Sequence, residues 1–101
     1  MVLLAGIDIS PEALADLCHR YQVKRLSLFG SAARADLRSN SDIDILVEFL
    51  PQHSIDLFDF GHLEAELAIL VGRRVDLVSK DGLNPRIAPH ILRDARLLYA
   101  S

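Results

Sequence analysis

Residues 42–49 (DIDILVEF) are the strongest strand signal in the chain, because Ile, Val and Phe are enriched in β-strands. Residues 25–29 (RLSLF) and 74–79 (RVDLVS) are predicted as further strands before and after it. Helices are predicted from Pro11 and at residues 31–37, 55–71 and 89–95, and residues 96–99 fit either a strand or a helix extension. Strands that alternate with helices indicate an α/β (α+β) domain with a mixed sheet of three to four strands, layered with helices.

The ends of two helices are marked by their flanking residues. Ser10 is a predicted N-cap followed by Pro11 at the first helical position. Ser54 is the predicted cap of the helix at residues 55–71, and Gly72 is the predicted C′ residue that directly follows it. One face of this helix is expected to enter the core, through Leu57, Phe60, Leu63, Leu67 and Leu70.

Length and charge limit the classes of protein that fit. The 101 residues suit one domain, spanning residues 1–101, and half of the residues are apolar. The formal net charge of −3 argues against strong nucleic-acid binding, which needs a basic excess. Cys18 is the single cysteine, so no intramolecular disulfide forms, and no apolar run is long enough to span a membrane. We therefore expect a cytoplasmic protein.

Three carboxylates are candidate metal ligands. Because side chains alternate along a strand, Asp42 and Asp44 are predicted to point to the same side. Asp76 lies within the apolar strand at residues 74–79, where a charged residue is typically at an edge, paired or bound to a metal. If the two strands are neighbours, all three acids meet on one face. Hard oxygen donors without a nearby His or Cys favour Mg²⁺, with Mn²⁺ as an alternative.

Gly30 and Ser31 form a candidate phosphate-binding corner. They follow a predicted strand and precede a predicted helix, whose free N-terminal amides attract anions. Ser31 adds a hydroxyl donor, and Arg34 adds a cation one turn later. This corner suits the β- and γ-phosphates of a nucleoside triphosphate.

Other polar residues are weaker candidates. Arg38 and Lys80 are either phosphate-binding cations or solvated surface charges, and the second interpretation is favoured. Glu48 shares the strand face of the aspartates but is interpreted as a surface charge rather than a fourth ligand. The histidines are scattered without metal-ligand spacing, and Glu64 and Glu66 are interpreted as the solvated side of a helix.

Three segments together resemble a known family. Residues 29–34 (FGSAAR), 41–49 (SDIDILVEF) and 74–78 (RVDLV) are similar to the minimal nucleotidyltransferases of the DNA polymerase β superfamily. The resemblance extends from about residue 26 to residue 99. It implies that Gly30 and Ser31 hold the triphosphate and that Asp42 and Asp44 hold two Mg²⁺ ions. It further implies that Asp76 completes the metal site and helps to activate the attacking hydroxyl.

The resemblance also implies a biological role. Members of this family commonly act as antitoxins that transfer AMP from ATP to a ribonuclease toxin of the HEPN class. We therefore expect a Mg²⁺-dependent protein adenylyltransferase whose partner is a HEPN-type toxin, and a homodimer is a further alternative. The chain has Ala35 and Ala32 where the family usually has Gly and often a basic residue. This departure supports the rival interpretation, an inactive antitoxin that neutralises its partner by complex formation alone.

Overall fold

The protein is described by a computed structural model that covers residues 2–4, 7–30 and 42–101. The predicted helix at residues 31–37 lies outside these ranges. The strands are β1 (Val2–Leu4), β2 (Ile7–Ile9), β3 (Val23–Phe29), β4 (Ile43–Phe49), β5 (Val75–Ser79) and β6 (Arg96–Ala100). The helices are α1 (Pro11–Arg20), α2 (Leu57–Val71) and α3 (Ala88–Asp94), with a 3₁₀ turn at Lys80–Gly82.

Four of the described strands form a mixed sheet, as the sequence predicts, and their order in the sheet is β5-β4-β3-β6. The central pair β3 and β4 is antiparallel, β3 also pairs antiparallel with β6, and β4 pairs parallel with β5. Residues 96–99, which fit two interpretations in the sequence, belong to strand β6. Strands β1 and β2 form a separate antiparallel pair that the sequence analysis missed.

One face of the sheet packs against α1 and α2 and forms the core. The buried side chains are apolar and come from both helices and from the inward-facing positions of the strands. They include Leu14, Leu17 and Cys18 of α1, Leu63 and Leu67 of α2, and Leu26, Leu28, Ile45 and Val47 of the central strands. Both helices therefore cover the same face and leave the opposite face of the sheet for other contacts.

Helix α1 begins as predicted. The Ser10 hydroxyl accepts a hydrogen bond from the Ala13 amide at 3.3 Å, and Pro11 is the first helical residue. Cys18 is fully buried, and this burial raises the pKa of its thiol to about 12. Cys18 is therefore a core residue, as the sequence analysis expects.

Helix α2 begins differently from the prediction. Its N-cap is Asp56, whose side chain accepts from the Asp59 amide at 2.8 Å while the Asp59 carboxylate accepts from the Asp56 amide. The predicted cap, Ser54, instead accepts a hydrogen bond from the Gln22 side chain at 2.9 Å. At the other end Gly72 adopts a left-handed conformation with φ of 78°, as predicted.

The predicted core face of α2 is correct in its middle and wrong at its start. Leu63 and Leu67 are fully buried, and Phe60 and Leu70 pack against the core. Leu57 is 86% exposed, because it is the first residue of the helix and lies beyond the last core contact. In the part of the chain that the structure describes, no helix combines the length and the apolar character needed to cross a bilayer.

Candidate active site

The face of the sheet opposite the core carries the candidate site. Because side chains alternate along a strand, Asp44, Leu46 and Glu48 of β4 lie on the opposite side from the buried Ile45 and Val47. We call the side that carries these three residues the open face. It is the surface on which the sequence predicts the acids to meet.

Asp44 and Asp76 are neighbours on the open face. They are register partners on the parallel strands β4 and β5, which places their backbones about 4.8 Å apart, with both side chains on the same side. Asp76 is exposed, and Asp44 is half-buried. Phe29 is the register partner of Asp44 on β3. We call Asp76, Asp44 and Phe29 the acid row. The sequence-based expectation that Asp76 shares a face with Asp44 agrees with this register.

Gly30 lies directly against the carboxylate of Asp44. A Cβ atom added at Gly30 would be 2.4 Å from Asp44 Oδ2 and 3.3 Å from its Cγ, which is inside van der Waals contact. The backbone of Gly30 also has φ of +66°, a conformation that L side chains rarely adopt. Both the turn and the close approach of the carboxylate therefore favour glycine at this position.

Of the remaining predicted site residues, the structure describes Asp42 but not Ser31 or Arg34. Asp42 is exposed and immediately precedes β4, whose Ile43 amide donates to the Arg74 carbonyl at 2.8 Å. Within residues 7–30 and 42–101, no three His, Cys, Asp or Glu side chains gather closely enough to form a ligand group. Several residues named in the sequence analysis lie outside the described residues: Ser31, Ala32, Arg34, Ala35 and Arg38. Their roles stay predictions.

A family model described as polymerase beta nucleotidyltransferase matches residues 12–101. The chain belongs to this family. A curated relative, the protein adenylyltransferase MntA of Thermococcus cleftensis, is 40% identical over 79 residues, which are 78% of each chain. The predictions of a nucleotidyltransferase and of its family are thereby confirmed.

Solved structures agree with this assignment. A protein solved as a candidate minimal nucleotidyltransferase shares 40% identity, with a TM-score of 0.71 over 87% of this chain and 86% of that chain. A toxin–antitoxin complex with AMP-PNP has a TM-score of 0.72 at 23% identity, covering 89% and 73% of the two chains. A tri-AMPylated HEPN toxin of Shewanella oneidensis in complex with its MNT antitoxin gives 0.63 at 21% identity, covering 89% and 69%. The last two likenesses show the nucleotidyltransferase fold.

The acid row of this nucleotidyltransferase fits a magnesium ion. Mg²⁺ is commonly bound through one or two carboxylates, with water and substrate phosphates as the other ligands, rather than by an all-protein cage. Asp44 and Asp76 supply two adjacent carboxylates, and their donor oxygens are of the type that Mg²⁺ prefers. The absence of a three-residue ligand group among the described residues is compatible with this mode of binding.

Glu48 of the nucleotidyltransferase is part of an ion-pair cluster. Its two oxygens contact Lys80 Nζ at 2.7 Å and Lys24 Nζ at 3.4 Å, and its side chain is 17% exposed. The hydrogen bond from Lys80, with a smaller contribution from Lys24, lowers the pKa of Glu48 below its usual value. Glu48 is therefore a paired carboxylate, and Lys80 is engaged with it.

A groove of about 320 Å³ lies on the open face beyond the acid row. Its floor includes Ser27, Leu46 and Leu97 from three adjacent strands, and Leu92 and Ala95, from α3 and its C-terminal end, also line it. The sequence analysis missed this groove. Alternation along the strand from Phe29 places Ser27 on the open face, but the groove also needs β6, and residues 96–99 fit either a strand or a helix extension in the sequence.

Glu64 contributes to the position of strand β5. Its carboxylate accepts a hydrogen bond from the Leu77 amide at 2.9 Å, and this contact is partly buried. The interpretation of Glu64 as a solvated helix residue is therefore wrong. Because Leu77 follows Asp76 directly, this bond connects α2 to the strand that carries one of the acids.

Proposed function

We propose that the chain is a protein adenylyltransferase that transfers AMP from ATP to a HEPN-type ribonuclease toxin and thereby acts as its antitoxin. One observation carries the proposal: Asp44 and Asp76 lie side by side on the open face, and the Asp44 carboxylate packs against the bare Cα of Gly30. The name of the 40% identical relative, a protein adenylyltransferase, supports the choice of acceptor class. The proposed setting is the cytoplasm.

Each residue has a distinct part in the proposed reaction. Asp42, Asp44 and Asp76 would hold two Mg²⁺ ions, which neutralise phosphate charge and lower the pKa of the acceptor hydroxyl. The turn at Gly30, with Ser31 and Arg34, would bind the β- and γ-phosphates.

The chemistry is a phosphoryl substitution at the α-phosphorus. The acceptor oxygen forms a bond to the α-phosphorus, and the bond from the α-phosphorus to the oxygen that bridges to the β-phosphate breaks. Pyrophosphate leaves with the electron pair of that bond, and the hydroxyl proton passes to the Asp76 carboxylate. The metal ions and the phosphate-binding residues would stabilise the charge on the phosphates, and stabilisation of this kind is usually the largest contribution of such sites to the rate.

The test uses the purified chain and a HEPN-type ribonuclease as the candidate acceptor. With Mg²⁺, ATP labelled at the α-phosphate should label the toxin, and ATP labelled at the γ-phosphate should not. Asp44→Asn and Asp76→Asn should each reduce labelling by about 100-fold or more, because each removes a charge that binds metal. Asp8→Asn, at an exposed carboxylate of β2, is the matched control and should leave labelling unchanged.

The rival interpretation, a catalytically inactive antitoxin, predicts a different result. In that case the toxin would be neutralised without incorporation of label, and Asp44→Asn would neutralise it as well as the wild type. Transfer of label from the γ-phosphate would indicate a kinase and would also contradict the proposal.

A further inference from the structure

The open face is organised in three rows that run across the strands. The middle row is displaced from the acid row by two residues along each strand. It consists of register neighbours on β4, β3 and β6, namely Leu46, Ser27 and Leu97. Two residues further lies a far row, in which Arg25 pairs with Glu48. Strand rise places the middle row about 7 Å and the far row about 13 Å from Asp44.

The groove defined above covers the middle and far rows. Leu46, Ser27 and Leu97 line it at the near end, and Arg25, Glu48 and Lys80 line it at the far end. It therefore begins next to the acid row and extends away from it along the strands. Its volume of about 320 Å³ is at the lower end of the range for small-molecule sites.

The geometry of phosphoryl transfer indicates what can enter this groove. The attacking and leaving oxygens lie roughly in line through the α-phosphorus. In the proposed function the leaving phosphates lie at Gly30, after β3, and the acceptor is activated at Asp76, on β5, with Asp44 between them. The reaction axis therefore runs across the strands. The nucleoside is attached to the α-phosphate away from this axis. It can therefore extend along the strands, which is the direction in which the groove lies.

The lining of the groove has the chemistry of a nucleoside site. Leu92 and Leu97 are 44% and 56% exposed and supply accessible apolar surface for the faces of a base, while the buried Leu46 contributes only to the floor of the groove. At the far end the Glu48 carboxylate is ionised at neutral pH, as glutamates ordinarily are, and it has more acceptor sites than its two lysine partners occupy. It can accept a hydrogen bond from the edge of a base that carries an amino group.

We infer that the groove between the sheet and the end of α3 binds the nucleoside of the nucleotide substrate, a purine that carries an exocyclic amine. This inference rests on the proposed function, because the acid row and Gly30 define where the phosphates lie. It assigns a nucleoside-binding role to Leu92 and Leu97 and a base-recognition role to Glu48.

The test separates nucleoside binding from phosphate binding. Calorimetric titrations with Mg²⁺ compare ATP with inorganic tripolyphosphate, which lacks the nucleoside. The double variant Leu92→Asn/Leu97→Asn removes apolar surface at two partly exposed positions, so it is expected to fold. It should weaken ATP binding about tenfold, the usual scale for loss of contacts to one base, and leave tripolyphosphate binding within about twofold of wild type.

The matched control is Leu57→Asn/Ile69→Asn, which makes the same kind of change at two exposed apolar residues of α2 outside the groove. It should leave the binding of both ligands unchanged. A second measurement uses 8-azido-ATP and ultraviolet light, followed by mass spectrometry. The adduct is expected in the residues that line the groove, between residues 92 and 100 or on Leu46 and Ser27.

Several outcomes would overturn the inference. ATP binding that is unaffected by the double variant, or ATP and tripolyphosphate binding that weaken together, would exclude a nucleoside subsite in the groove. A rise in KM for the toxin with unchanged ATP affinity would assign the groove to the acceptor instead. In all these cases wild-type ATP binding, and with it the proposed function, would stand. Failure of the wild type to bind either ligand with Mg²⁺ would reject both.

Discussion

Replacing Gly30 with alanine tests the contact on which the candidate site depends. The new Cβ would be 2.4 Å from Asp44 Oδ2, whereas ordinary contact begins at 3.4 Å, so the carboxylate must move by about 1 Å. The obstacle is the end of a side chain rather than backbone, so the carboxylate can rotate away. The fold is therefore expected to survive and the metal-binding geometry to change.

The expected magnitudes differ for stability and for activity. Alanine at φ of +66° destabilises the folded state by about 1–2 kcal/mol. It also lowers the conformational entropy of the unfolded chain, which offsets about 0.4–1 kcal/mol of that loss. The free energy of unfolding should therefore fall by only about 1 kcal/mol. A displacement of about 1 Å at a reacting centre can reduce the rate about 100-fold. Gly30→Ala should thus lose AMP transfer while it stays folded.

Gly72→Ala is the matched control, because Gly72 has a similar φ of +78° and an added Cβ would meet nothing within 4 Å. It carries the same backbone strain without touching a carboxylate. Urea unfolding gives the stability of both variants, and transfer of label from ATP to the toxin gives their activity. If Gly30→Ala transferred AMP at the wild-type rate, or if Gly72→Ala lost transfer to the same extent, the argument from the Asp44 contact would be wrong.

Three further changes test the surroundings of the site. Glu48→Gln should lower stability at neutral pH, and the difference from wild type should shrink on acidification. The folded-state pKa of Glu48 is lowered, so its ionised form stabilises the fold above the unfolded-state pKa of about 4.3, and this stabilisation is lost as pH falls through the folded-state pKa. Urea midpoints of both proteins between pH 7 and pH 3 measure the difference in stability. Cys18 should not react with a thiol reagent at pH 8 until urea unfolds the chain, because it is buried with a pKa of about 12, and fast labelling of the folded protein would contradict this. Glu64→Ala should lower the free energy of unfolding by about 1–3 kcal/mol, because it leaves the Leu77 amide without its partner, whereas an unchanged urea midpoint would show that water replaces the carboxylate.

The order of strands and helices follows from local sequence signals. Residues 42–49 contain the β-branched residues that favour strands, and the observed strand is Ile43–Phe49. Gly72 ends α2 with a left-handed residue because glycine adopts that conformation without a Cβ penalty. Such signals act over a few residues, which is why they can be recognised before any tertiary contact is known.

Other features depend on tertiary contacts. Ser54 and Asp56 are both acceptable caps, and the choice between them is made by Asp59, which bonds back to Asp56, and by Gln22, which bonds Ser54 from across the chain. Glu64 resembles a solvated helix residue until β5 is placed beside it. The ion pairs of Glu48 with Lys24 and Lys80 cannot be predicted from the sequence pattern either, because the two lysines come from separate elements.

The acid row combines a feature that local sequence pattern predicts with one that depends on the tertiary structure. Alternation predicts the face on which Asp44 lies, but the position of Asp76 beside it requires the parallel pairing of β4 with β5, a tertiary choice. Two carboxylates at this spacing repel each other unless a cation or solvent screens them, which is why a charged pair on neighbouring strands is a candidate cation site. The main hydrophobic core cluster lies on the other face, around Leu26 and Val47. The side chains that stabilise the fold and the side chains of the candidate site therefore lie on opposite faces of one sheet, so a substitution on the open face can change the site without opening a cavity in the core.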